Sequence, residues 1–146
     1  MVKWIEIEVK DLYTYLAVAQ VDALRRASIG ESDPVIEIIR DIINNVRANI
    51  GSNKKNILSK RTNAVPPELK SVVCILILEH LQARIPGFKL TDDQIRIAND
   101  ARMTVQKIAR GEIYVSIPDD GMYECARVAV LNSRRHEAYG IAMKGL

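Results

Sequence analysis

The stretch TDDQIRIANDARMTVQKIARG, residues 91–111, decides how the chain is read, because it carries marks of both a two-helix DNA reader and a single helix. A helix-turn-helix needs a short turn, often with Gly, between its helices. From Ala98 to Thr104 the intervening residues are NDARM, with no Gly, no Pro and no turn pair. The gap is too short to end one helix and begin another. Thr91 and Gln94 have capping-box spacing, and Ile95, Ala98, Arg102, Val105, Ile108 and Ala109 keep one helical register as far as Gly111. The spacing predicts one helix of about five turns.

Working outward, Pro66 and Pro67 open PELKSVVCILILEHLQARI, apolar almost all round as a helix packed on every side would be, with Pro86 and Gly87 ending it. Upstream, Asp33 followed by Pro34 marks a helix entry: a carboxylate caps free amides, and the missing N–H of proline costs nothing at the first turn. Val35, Ile38, Ile39, Ile42, Val46 and Ile50 then recur at helical spacing, and Gly51 is expected to stop the helix in a left-handed conformation. Residues 52–65 carry Lys54, Lys55, Lys60 and Arg61 with no acid and no period, a predicted basic loop. Residues 11–27 place Leu12, Leu16, Ala19, Ala23 and Ala27 on one stripe, a predicted amphipathic helix.

Beyond Gly111, Ile113, Val115 and Ile117 alternate onto one side of a short extended segment ending at Pro118. Residues 119–146 form a tail in which ECARVAV has strand character and NSRRHEAYGIAMKGL has no sustained period. The expected architecture is mainly α: a small bundle of about four helices with a short extended segment and an irregular C-terminal tail. Residues 1–118 are the helical domain and 119–146 a docking tail.

The chain has 146 residues, 48% of them hydrophobic, which suits one domain. A net charge of +3 is too mild to imply nucleic acid by itself. The longest apolar run, VVCILIL at residues 72–78, falls far short of the roughly 20 residues that span a bilayer. The opening MVKWIEIEVKD alternates charged and apolar residues and does not read as a secretory leader, so a cytoplasm-like compartment is expected. Cys74 and Cys125 lack ligand spacing and read as free thiols, and Cys74 and His80 do not share a helix face. Asp92-Asp93 and Asp119-Asp120 read as a capped helix start and a solvated turn. His80 and His136 have no Ser or Cys at useful spacing, and the seven glycines are scattered singly, so neither a nucleophile nor a phosphate loop is legible. An enzyme is not expected, and no cofactor or metal is implied. A small site assembled across subunits is the enzymatic alternative.

Four stretches, DLYTYL (11–16), DPVIEIIRDIINNVRANI (33–50), VPPELKSVVCILILEHL (65–81) and QIRIANDARMTVQKIARGEIYV (94–115), succeed one another in an order that resembles the head-to-tail connector, or neck adaptor, proteins of tailed bacteriophages and Mu-like prophages. The closing RRHEAYGIAMKGL also resembles that family's Arg-containing tail. This chain departs from the pattern after the second helix, where GSNKKN stands in place of an aromatic and an Arg, and in the third helix, where an aliphatic run replaces a Tyr.

The resemblance implies a structural virion protein of the neck, made in the host bacterial cytoplasm. It would assemble as a ring, dodecameric in the family, beneath the portal protein and receive a stopper or tail-completion protein. DNA would pass through the lumen without sequence reading, and no membrane is involved. The interaction residues expected are Lys54, Lys55, Lys60 and Arg61, facing DNA or acidic groups of a neighbour. In the tail, Arg134 and Arg135 would pair with carboxylates, while Tyr139, Ile141 and Leu146 fill apolar pockets on the portal or an adjacent subunit. The alternative is a non-enzymatic DNA-binding protein using the basic loop on phosphates.

Overall fold

The computed structural model describes residues 1–14, 18–26, 33–84 and 89–121. Among them the chain forms β1 (Ile5–Glu6), α1 (Val9–Leu12), α2 (Val18–Arg26), α3 (Pro34–Ser52), β2 (Ala64–Val65), α4 (Lys70–Gln82) and α5 (Asp92–Ala109), with a 3-10 turn at Pro67–Leu69 leading into α4. The fold is mainly helical with a small extended component, the class predicted. Helices α3, α4 and α5 pack pairwise against one another and carry the core.

The central helix is α5, and it runs unbroken. Thr91 Oγ1 accepts from the Gln94 amide at 3.3 Å and Gln94 Oε1 accepts from the Thr91 amide at 2.9 Å. At the other end the Glu112 amide reaches Lys107 O at 2.9 Å and the Gly111 amide reaches Ile108 O at 3.1 Å. With Gly111 at φ +79°, this is a Schellman close. The buried residues of α5 are Ala98, Ala101, Val105 and Ile108, whereas Ile95 and Arg102 of the predicted register are exposed. Ala98, Val105 and Ile108 of the predicted register do face inward, and Ala101 joins them.

Helix α3 starts where predicted. Asp33 Oδ1 accepts from the Val35 amide at 3.0 Å and Asp33 Oδ2 receives Arg25 Nε at 2.7 Å, so one carboxylate caps α3 and ties α2 to it. The stripe Val35, Ile38, Ile39, Ile42, Val46 and Ile50 is buried, joined by Ile43. Each such side chain contributes about 1.5–3 kcal/mol of burial before chain entropy is counted. The stop at Gly51 is corrected: Gly51 is helical, and α3 continues through Ser52 to a cap at Asn53. Side chains satisfy the last carbonyls instead, Asn56 Nδ2 donating to Ile50 O at 3.1 Å and Ser52 Oγ to Asn49 O at 2.7 Å. No left-handed residue is then required.

Helix α4 is sheathed as its composition predicts, with Val73, Cys74, Leu76, Ile77, Leu78 and Leu81 buried. It ends at Gln82; Pro86 and Gly87 lie outside the described residues. The single helix expected over residues 11–27 is also corrected. Helix α1 begins earlier, at Val9, and closes at Tyr13, with α2 separate from it. Asp11 fixes the short helix in place, accepting the Glu8 amide at 2.8 Å and pairing with Lys70 of α4 at 2.8 Å. Leu16 and Ala27 of the predicted stripe lie outside the described residues.

The loop at 52–65 contains β2, paired antiparallel with β1 in the register Ile5 to Val65 and Glu6 to Ala64. Two residues are too few for a period to be read. Residues 113–117 do not form a regular strand. Val115 packs against the core while Ile113 and Ile117 are exposed, so the expected apolar side is not one face. The segment is a strap held from its flanks: the Ser116 amide and hydroxyl donate to the Glu68 carboxylate at 2.6 and 2.9 Å, and the Val2 amide donates to Ile117 O at 2.9 Å.

Candidate functional site

The predicted basic loop divides in two, and each half joins residues from distant parts of the chain. In the first half, Lys54 and Lys55 occupy the exposed turn that follows α3, where Asn53 Oδ1 accepts from the Lys55 amide at 3.2 Å. This turn lies against the close of α5. A Cβ built on Gly111 would stand 3.2 Å from Asn53 Nδ2. The last turn of α5 brings exposed Lys107 and Arg110 to the same end of the bundle. Within residues 51–56 and 106–112 the only carboxylate is Glu112, against the four cations Lys54, Lys55, Lys107 and Arg110.

The second half is structural. Lys60 is exposed, but Arg61 is half-buried and donates from Nη2 to Trp4 O at 2.6 Å, with its Nε 3.6 Å from Asp120 Oδ2. Ser59, itself buried, donates from Oγ to Asp120 Oδ2 at 2.9 Å and accepts the Arg61 amide at 3.2 Å. Arg47 of α3 donates to Ala64 O at 2.6 Å and Ser59 O at 2.8 Å, and its guanidinium lies 5.7 Å from the Trp4 ring centroid. The expectation of four uncompensated charges is thereby corrected, because Asp120 answers Arg61 from beyond the loop. The Ser59 hydroxyl first, and then the charge of Arg61, hold the Asp120 carboxyl below its ordinary range, while burial lowers the Arg47 guanidinium.

Asp119 and Asp120 form a turn, as expected, with Asp119 exposed; Asp120 is half-buried and tied to the body through Ser59 and Arg61. The Asp119 amide donates to Val2 O at 2.9 Å, and Gly121 bridges Ser59. Residues 122–146, with Cys125, His136, Arg134, Arg135, Tyr139, Ile141 and Leu146, lie outside the described residues.

A polar cluster sits where α3, α4 and α5 meet. Arg102 pairs with Glu79 and Asn99, and His80 Nδ1 lies 2.9 Å from Leu76 O. Beside it runs a groove of about 290 Å³ floored by Ile42, Val46, Leu76 and Val105. Among the described residues no group of His, Cys, Asp or Glu side chains is placed to hold a metal ion, and no helix is long and apolar enough to cross a membrane. Cys74 is buried, and burial pushes its thiol up to about 11.

Lys107 and Arg110 were missed as partners of Lys54 and Lys55 because helical spacing places them on the exposed side of α5, where cations at a helix C-terminus need no further reason. Gly111 is the one signal for the juxtaposition. It marks the helix end, though not what the end abuts. Compared with known proteins, the chain matches no family model, no curated protein and no solved structure.

Proposed function

We propose that this chain is a structural subunit that works through its surfaces, a head-to-tail connector that assembles around the axis of a phage neck between the portal protein and a stopper or tail-completion protein. The observation that carries the reading is the strap. Ile113, Tyr114 and Ile117 are exposed on it, and the hydrogen-bonded pairing with Val2 sets exposed Met1 and Val2 at its end. A chain that buries Trp4, Leu12, Ile50 and Ile77 completely has no shortage of interior, so apolar side chains left outside in one neighbourhood are suited to contact with another protein.

Head-to-tail contacts related by a rotation close into rings, which is the geometry a connector requires. The order of helical segments described under the sequence reading supports the same assignment. Co-expression with a portal protein followed by electron microscopy tests it. Closed rings coaxial with the portal are the expected result; an isolated dimer away from the portal axis would overturn the reading.

A further inference from the structure

We infer that the end of the bundle where α3 and α5 both terminate is a docking surface for the phosphate backbone of duplex DNA, formed jointly by Lys55, Lys107 and Arg110. The inference rests on the connector reading for its biological setting alone. Two chain segments far apart in sequence converge there through the close approach of Gly111 to Asn53, and together they deliver Lys55, Lys107 and Arg110. Lys55, Lys107 and Arg110 are exposed, so their ammonium and guanidinium groups are not consumed in the core. The partial negative charge of two helix C-termini offsets part of this positive charge, and Glu112 offsets one cation. A positive excess remains at one end of a molecule whose cations and carboxylates elsewhere are nearly matched, 21 Lys and Arg against 18 Asp and Glu over the whole chain.

The chemistry favours a polyanion with repeating charge over a single bound anion. The cations here are exposed rather than buried around a single phosphate, and spaced exposed cations suit a backbone with a charge every few ångströms. The contact is sequence-blind, because α5 is one helix closed by Gly111 and the patch lies on its C-terminal end. A helix that reads bases enters the major groove through its side or its N-terminal residues. Arg61 does not belong to the surface, since its guanidinium is committed to Trp4 O and Asp120.

Fluorescence anisotropy of the full chain with a labelled duplex, titrated over a range of NaCl concentrations, tests this. Each phosphate neutralised contributes about 0.9 to the slope of log K against log salt. The triple variant Lys55→Ala, Lys107→Ala, Arg110→Ala is expected to lower the slope by about 2–3 while keeping its far-UV circular dichroism. A control triple of exposed cations elsewhere, Lys3→Ala, Arg40→Ala, Lys89→Ala, is expected to change it by less than about 1. A scrambled duplex is expected to bind equally well. Equal slopes for the two triples, a preferred duplex sequence, or binding to a polyglutamate peptide but not to duplex would each overturn the inference. Loss of duplex binding in a chain that still forms portal-bound rings would remove this inference and leave the connector reading standing. Duplex binding without rings would do the reverse.

Discussion

The indole Nε1 of Trp4 donates to the carbonyl oxygen of Ser116 at 3.1 Å, across 112 positions of the chain. Trp4 is fully buried, and its ring is covered by the Arg47 guanidinium on one side of this bond. It joins the first strand to the strap and so ties the exposed apolar surface to the core. Trp4→Phe keeps an aromatic ring in place but leaves Ser116 O without its donor, with an expected cost of about 1–2 kcal/mol. Trp4→Ala also empties the site, at about 3–5 kcal/mol. Urea unfolding followed by circular dichroism measures both, and a Phe variant as stable as the parent would mean that the bond does not hold the strap.

Acid should loosen the same region. The folded-state pKa of Asp120 lies below the ordinary carboxylate value because of the Ser59 hydroxyl and Arg61. At Asp11, burial works to raise the value, but the hydrogen bond and charge of Lys70, with the Glu8 amide, bring the net shift down. For a carboxylate lowered in the folded state, the stabilisation is present above the unfolded pKa and is lost as pH falls through the folded one. Stability is therefore expected to hold through neutral and mildly acidic pH and to fall below about pH 4. Asp120→Asn, which keeps an acceptor for Ser59 and removes the charge, should flatten part of that fall. The single tryptophan, Trp4, reports it by its emission. An unchanged acid limb in the Asn variant would show that Asp120 does not clamp the strap.

Alkaline pH acts on a different residue with the opposite sign. The Cys74 thiol is raised by burial from an ordinary 9.0 to about 11, so the folded state holds its proton longer than the unfolded chain does. Stability is then lost as pH rises from about 9 toward 11, by roughly 2–3 kcal/mol at the upper end. In a Cys125→Ser background, Cys74 should resist a thiol reagent until the chain is unfolded. Cys74→Ala should remove most of the alkaline loss while creating a small cavity. Rapid modification of Cys74 under native conditions would contradict its place in α4.

The helices were legible in the sequence wherever the signal was local. Thr91 with Gln94, Asp33 with Pro34 and the apolar run over 72–78 name their elements because caps and periodicity act within a few residues. What was not legible depends on partners far away in the chain. Arg61 looks like a free loop cation until Asp120 and Trp4 O are brought to it. Strand β2 is two residues long, and only β1 defines it. The predicted register of α5 placed Ala98, Val105 and Ile108 inside, where they are, but Ile95 and Arg102 are exposed and Ala101 is buried in their stead, because α3 and α4 set which side faces in. The candidate surface at Lys55, Lys107 and Arg110 was partly legible for the same reason, since Lys55 was evident in a basic loop and the other two became relevant only once two helix ends met.

Two glycines offer a paired test of that meeting point. Gly111 has φ +79°, a region that costs a residue with a Cβ about 1–2 kcal/mol, and the added methyl would stand 3.2 Å from Asn53 Nδ2. Gly51 is helical, and a methyl there would stand 3.2 Å from Leu58 Cδ1, the movable end of a half-buried side chain. Alanine at position 51 gains helix propensity of up to about 1 kcal/mol, from which a small displacement of Leu58 is subtracted. The expectation is that Gly51→Ala is neutral or mildly stabilising. Gly111→Ala should lower the melting temperature by about 2–8 °C for a chain of this size. Because the Gly111 close holds the end of α5 against the 53–55 turn, the same substitution should also weaken the salt dependence of duplex binding more than its loss of stability alone explains. Equal melting temperatures for the two variants would mean that Gly111 is not held in the left-handed conformation and that the two helix ends are not locked together.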